Sequence, residues 1–283
     1  MDKRLLGLAA VLGLALAGCA EDDLVEAANQ CRSLISNEKF SDAFTLCEKV
    51  CKNNDGIGCL GTGLLYDFGK GVKQNHFKAV EYYNKACDLN NAAGCYNLGD
   101  FYGTQQEPRL AFQYFQKACD LNEISGCYNL GVYYRDGIAG IEQDYNQSNQ
   151  YFQKACDFNA GEGCVNLGIS YYFGKGVKLD YKQANQYFQK ACDLNIGTGC
   201  RNLGLSYSEG TGVKQDFSQA NQYFQKACDL KEGKGCFIIG HHYQNGKLVR
   251  QNKNTAKEYY GKACDYGYQD GCDAYRKLNE QGY

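Results

Sequence analysis

The sequence predicts an all-α solenoid of stacked helix hairpins, on three observations: a regular cysteine period, helical apolar spacing within each period, and capping residues at fixed places. Fourteen of the 17 cysteines fall into seven pairs of the form Cys, seven residues, Cys. They are Cys51 and Cys59, Cys87 and Cys95, Cys119 and Cys127, Cys156 and Cys164, Cys192 and Cys200, Cys228 and Cys236, and Cys264 and Cys272. First members advance by 36, 32, 37, 36, 36 and 36 residues, a period that marks a repeat array and not one closed core. A hydrophobic fraction of 44%, a charged fraction of 22% and a single Pro among 283 residues describe a folded globular chain. The formal net charge of -2 gives no basic footprint for nucleic acid.

At the N-terminus Lys3 and Arg4 precede an apolar run from Leu5 to Ala17. The run is shorter than the ~20 residues of a membrane span and reads as a signal peptide over residues 1–18. Its end, Leu16-Ala17-Gly18-Cys19, resembles the lipobox of bacterial lipoproteins, which implies that Cys19 is lipidated and becomes the mature N-terminus. Residues 19–23 are then a short tether, and Ala20 after the Cys implies the outer membrane, with the periplasmic or surface side, or release, left open. A capping hairpin is expected over 24–57, six repeats over 58–270, and a capping helix over 271–283.

Within a unit, Cys200, Leu203, Gly204 and Tyr207 follow steps of three, one and three, and Ala220, Tyr223, Phe224 and Ala227 do the same. Each block makes an amphipathic helix of about three turns. Gly210-Thr-Gly212-Val ends the first helix with residues that tolerate a left-handed cap, and Asp216 stands at the N-cap of the second. Asn75, Asp144, Asp180 and Asn252 hold the corresponding N-cap places. In the short unit Pro108 takes the first helical position, which Pro prefers.

Gly-Cys-x-x-Leu-Gly-x-x-Tyr with a Gly-x-Gly-Val loop and a Lys-Ala-Cys ending resembles the Sel1-like repeat. With a disulfide in each unit the chain is similar to the cysteine-rich Helicobacter proteins of that family. The resemblance covers residues 24–283 and implies a right-handed α/α superhelix of TPR-like hairpins. The short unit lacks the Gly-x-Gly-Val loop, Gly137-Ile-Ala-Gly140 replaces it in the next, and Gly61 and Ile238 stand where other units have Asn. The spacing places each Cys on the last turn of one helix and its partner on the first turn of the next, so one bridge per repeat follows. Each closes a loop of about nine residues, worth roughly 2.5 kcal/mol. Cys31 and Cys47 are left to pair across the first hairpin; the alternative joins Cys47 to Cys51 and Cys31 to Cys59.

The resemblance also implies penicillin binding with weak β-lactamase activity. A serine β-lactamase needs Ser-x-x-Lys with Ser-Asp-Asn and Lys-Thr-Gly. Ser36-Asn-Glu-Lys39 matches the first, nothing matches the others, and Ser36 and Lys39 fall in a hairpin turn. With only His76, His241 and His242, no metal site or cofactor is expected. The Gly69-Lys-Gly71-Val loop is a hairpin turn and not a phosphate cradle, because no strand precedes it. The recurring Tyr66, Tyr102, Tyr134, Tyr171, Tyr207 and Tyr243 read as core with polar tips.

Asn97, Asn129, Asn166 and Asn202 each follow a repeat Cys by two residues. Two roles fit them: lining a concave groove, where an amide offers donor and acceptor to a peptide backbone, or tying their own hairpins together. The expected function is an exported, lipid-anchored adaptor or host-facing surface protein that binds a peptide or protein segment on its concave face. The alternative partner, a β-lactam or cell-wall-derived small molecule, follows from the resemblance alone.

Overall fold

A computed structural model describes residues 19–247 and 249–283, and the signal-peptide reading of residues 1–18 lies outside them. Among the described residues there are fifteen α-helices, one short 3-10 turn and no strand. They are α1 (Cys19–Ser36), α2 (Phe40–Lys52), α3 (Gly56–Phe68), α4 (His76–Asp88), α5 (Ala92–Thr104), α6 (Pro108–Asp120), α7 (Ile124–Asp136) and α8 (Tyr145–Asp157). There follow α9 (Gly161–Phe173), α10 (Tyr181–Asp193), α11 (Gly197–Glu209), α12 (Phe217–Asp229), α13 (Gly233–Asn245), α14 (Lys253–Asp265) and α15 (Gln269–Glu280). The described part of α1 runs Cys19–Ser36, so residues 19–23, expected as a tether, are helical.

From α3 onward the helices alternate between two types. Those of the first type, α3, α5, α7, α9, α11 and α13, are called A helices here, and α4 to α14 of even number are B helices. Each A helix is built around two glycines. The first, Gly199 in α11, would put a Cβ 2.6 Å from that of Ala191 in the preceding B helix. The second, Gly204, would put one 2.7 Å from the Phe224 ring in the following B helix. Small residues on A thus let Ala and an aromatic ring of its two B neighbours close against its backbone.

The chain divides into two compact units: one up to Leu130 together with Ile138–Ile141, the other Gly131–Gly137 together with Glu142–Tyr283. In the first, Leu64, Leu65, Tyr83 and Leu98 pack around bridged cysteines. In the second, Phe152, Phe188, Phe224 and Tyr260 supply the buried rings.

Every B helix passes to the next helix through a three-residue turn. Its middle residue is left-handed: φ is 57° at Asn90, 66° at Asn122, 64° at Asn159, 62° at Asn195 and 62° at Lys231. Asn tolerates this region because its short side chain bonds locally. Cys51–Cys59, Cys87–Cys95, Cys119–Cys127, Cys156–Cys164, Cys192–Cys200, Cys228–Cys236 and Cys264–Cys272 bridge the turns. Cys31 bonds Cys47 across α1 and α2, with Cα atoms 5.2 Å apart.

The opposite hairpin ends carry the caps read from the sequence. Gly174, Gly210 and Gly246 end A helices in the left-handed region. Asn75, Asp144, Asp180, Asp216 and Asn252 accept backbone N–H groups as N-caps. Helix α6 begins at Pro108.

Candidate partner-binding face

Positions two, six, nine and thirteen of an A helix share the side away from its Cys-Leu-Gly core, as the helical period requires. On α9 these are Glu162, Asn166, Ile169 and Phe173; on α11 they are Thr198, Asn202, Leu205 and Glu209. The centre of each strip is half-buried, with an amide beside an aliphatic side chain. Asn97 and Asn129 occupy the same helix position in the first unit, on α5 and α7.

The four asparagines do not share one environment. Asn166 is held from two sides: Arg135 Nη1 donates to its Oδ1 at 2.8 Å, and its Nδ2 donates to the Glu162 carbonyl at 2.9 Å. Asn97 is only 7% exposed, yet among the described residues Asn97, Asn129 and Asn202 make no hydrogen bond through their amides. With no hydrogen bond through their amides, these three do not tie their own hairpins together. Beside them, Arg201 Nε donates to Glu232 Oε1 at 3.0 Å, and Glu232 also caps α13 by accepting from Gly235 N. That charge is therefore spent internally.

Behind the face each hairpin is locked by a tyrosine pair. Tyr66 stacks on Tyr82 and Tyr102 on Tyr114 in the first unit. Tyr134 and Tyr151, Tyr171 and Tyr187, Tyr207 and Tyr223, and Tyr243 and Tyr259 do so in the second. The B-helix member then donates its hydroxyl to the preceding B helix: Tyr187 to Gln153, Tyr223 to Gln189 and Tyr259 to Gln225, each at 2.7 Å. Tyr82 donates to Glu48, and its pKa is pushed up to about 12 by burial and then by that carboxylate. The rings are therefore core and their tips are inter-helix struts.

Two further residues escaped the sequence reading. Asn149 Nδ2 donates to the Lys175 carbonyl and Asn185 Nδ2 to the Thr211 carbonyl, so α8 and α10 each pin the next hairpin loop. Their one sequence signal was recurrence: Asn149, Asn185 and Asn221 share a place in successive B helices.

Ser36 closes α1, and its hydroxyl donates to the Arg32 carbonyl at 3.1 Å; Lys39 precedes α2 in the same turn. His76 Nδ1 lies 2.7 Å from Asp67 Oδ1. His241 is exposed, whereas His242 is buried against Phe224 with its pKa held down to about 4, first by burial and then by His241 and Lys247.

Comparison with known proteins gives the same architecture. A pattern described as Sel1 repeat matches residues 57–91, 92–123, 124–157, 161–196, 198–232 and 233–268. "Beta-lactamase HcpA" of Helicobacter pylori is 31% identical over 83 residues, covering 29% of this chain and 33% of that protein, so the chain spans a third of that relative's length. A Sel1 repeat protein from Oxalobacter formigenes is 25% identical with a TM-score of 0.77, over 84% of this chain and 99% of that one. The protective antigen c5321 of uropathogenic Escherichia coli is 20% identical with a TM-score of 0.76, over 93% of this chain and 58% of that one. In the matched frame each repeat is an A helix followed by its B helix, so six of the seven Cys, seven residues, Cys bridges cross from a B helix to the next helix, the first leaves α2, and all staple neighbours together.

Proposed function

Because the chain belongs to the Sel1 repeat family, whose fold typically mediates protein–protein interaction, we propose that it binds an extended peptide or protein segment along the A-helix face of each of its units. One observation carries the reading: Asn97, Asn129 and Asn202 keep unspent amides on that face, while disulfides and tyrosine pairs hold the hairpins without them. A peptide backbone presents the carbonyl and N–H groups such amides satisfy. Eight disulfides fit an oxidising, extracytoplasmic compartment. Among the described residues no helix is long and apolar enough to cross a membrane. The sequence Leu16-Ala17-Gly18-Cys19 supports export with a lipid anchor on Cys19, and hence an adaptor held at the outer membrane or a surface protein facing a host.

Peptides selected on the purified protein from a random displayed library test this. Asn129→Ala with Asn202→Ala abolishes their binding and leaves the thermal midpoint unchanged; equal loss of both returns the amides to a structural role. The name of the Helicobacter relative supports the competing reading, slow β-lactam hydrolysis by this chain. Turnover that follows Cys19→Ser protein through purification, exceeds a mock preparation and disappears on Ser36→Ala is the result that would replace the binding reading.

A further inference from the structure

The A-to-B loops of the second unit lie side by side. Asn149 and Asn185 pin the loops at Lys175 and Thr211, and Gly176 and Gly212 sit where a Cβ would meet the backbone of Tyr145 and Tyr181 at 2.5 Å. The loops 174–180 and 210–216 thus adjoin at one edge of that unit, and 246–252 is the equivalent connection of the next hairpin. Their charges are unequal: Lys175, Lys178, Lys214, Lys247 and Arg250 stand against Asp180 and Asp216. Both acids are engaged as N-caps, and Glu209, just before the second loop, takes the Tyr172 hydroxyl. Lys175 lies over the Tyr145 ring. Among the described residues Lys178, Lys214, Lys247 and Arg250 have no ion-pair partner, and all four are exposed.

Apolar side chains stand among these cations. Phe173 is 61% exposed, Leu179 49% and Phe217 42%, and Tyr181 is exposed beside them. Lys178 and Lys182 flank an open hollow of about 500 Å³ whose floor includes Tyr171 and Gly212.

We propose that this loop edge docks on the surface of an anionic lipid bilayer. Loop tips that alternate lysine with Leu, Phe and Tyr match the headgroup layer, where cations meet phosphate and short apolar side chains enter the acyl boundary. Leu179 and Tyr181 rim the shallow hollow while Phe173 and Phe217 stand exposed outside it, so the apolar groups are spread over the edge as a bilayer surface would meet them. The isolated ammonium groups suit a diffuse anionic surface, which demands no bidentate geometry. Docking would orient the second unit with its loop edge toward the membrane, independently of the peptide reading and of any acyl chain on Cys19.

The test is co-sedimentation of the mature chain carrying Cys19→Ser, which removes acylation, with vesicles of mixed phosphatidylglycerol and phosphatidylcholine or of phosphatidylcholine alone. Binding is expected to the anionic vesicles only and to weaken as salt is raised. Each cation near such a surface is worth about fivefold in partitioning, so Lys178→Glu with Lys214→Glu and Arg250→Glu lowers binding by at least about a hundredfold. Leu179→Ser with Phe217→Ser also weakens it, and Asn129→Ala with Asn202→Ala leaves it intact; unchanged circular dichroism shows that the variants fold. Absence of binding to anionic vesicles, equal binding to neutral ones, indifference to the charge reversals, or retention by a soluble polyanion without vesicle binding each overturns the proposal.

Discussion

The two ends of each hairpin close the chain in different ways. At the B-helix end the turn is three residues long at every repeat, as at 89–91, 121–123, 158–160, 194–196 and 230–232. At the other end the connection is seven residues at 69–75, 174–180 and 210–216, three at 105–107 and eight at 137–144. The invariant end is over-determined, by a left-handed residue and by a disulfide whose Cα atoms lie 4.4 to 4.7 Å apart. The variable end has no covalent bond and is closed by a C-cap, an N-cap, the approach of one loop to the preceding hairpin and, at 174–180 and 210–216, one asparagine hydrogen bond. Length changes are tolerated where closure rests on local caps, since loop entropy grows slowly with length. They are excluded where two helix ends share a covalent bond. The molecule therefore keeps its repeat geometry at one edge and varies its surface at the other.

Within the variable edge one point is as constrained as any turn. Gly176 has φ +65°, and an added Cβ would lie 2.5 Å from the Tyr145 backbone. Neither that backbone nor the Asn149-pinned loop can yield easily, so Gly176→Ala combines left-handed strain with overpacking and should cost about 3 kcal/mol. A chemical-denaturation midpoint reads the loss; a variant as stable as the parent would show that this edge is free along its whole length.

A more direct contrast comes from inserting two glycines at either end of the same repeat. After Asn195 the insertion separates Cys192 from Cys200 and should remove the staple, about 2.5 kcal/mol, with free thiols appearing in titration. After Lys214, in the loop, the same insertion should cost a few tenths of a kcal/mol. Equal losses would dissolve the distinction between the two ends.

The ends should also answer to different reagents, reductant at the stapled turns and acid at α13. His242 is buried and neutral in the folded chain, with a pKa of about 4 against 6.5 when unfolded. Between those values the unfolded chain binds the extra proton. The histidine's contribution is therefore complete above pH ~6.5 and falls as pH drops toward ~4, by about 2 kcal/mol at the acid end of that window. His242→Phe should remove this component, since Phe101 fills the equivalent place on α5. Parallel pH–stability curves of the two proteins would contradict the assignment.

Much of this frame could be read from the residues. The cysteine period, the Asn and Asp caps and Pro108 each act over a few residues, and helix-scale chemistry leaves a helix-scale trace. The binding face was legible only as recurrence, because the contacts that divide Asn166 from Asn202 are non-local: Arg135 is 31 residues from Asn166. The B-helix struts were hidden for the same reason, Tyr187 and Gln153 being 34 residues apart and both plausible as surface residues when read singly.

The smallest expected effect tests the invariant end from within. In the turns of the second unit the left-handed position is Asn at 159 and 195, Lys at 231 and Gly at 267. Lysine has no short polar group to bond its own backbone there, so Lys231 carries strain that its neighbours avoid. The surrounding turn still forms, with Lys231 N donating to the Cys228 carbonyl and Glu232 capping α13. Lys231→Asn should therefore stabilise the protein by about 0.5 kcal/mol without altering the Cys228–Cys236 bridge. Lys231→Gly should gain no more, because glycine relieves the same strain while adding freedom to the unfolded chain. A denaturation midpoint that moves down with Asn would mean that the disulfide alone sets this turn, and that the left-handed residue follows the bridge where the comparison makes the two independent.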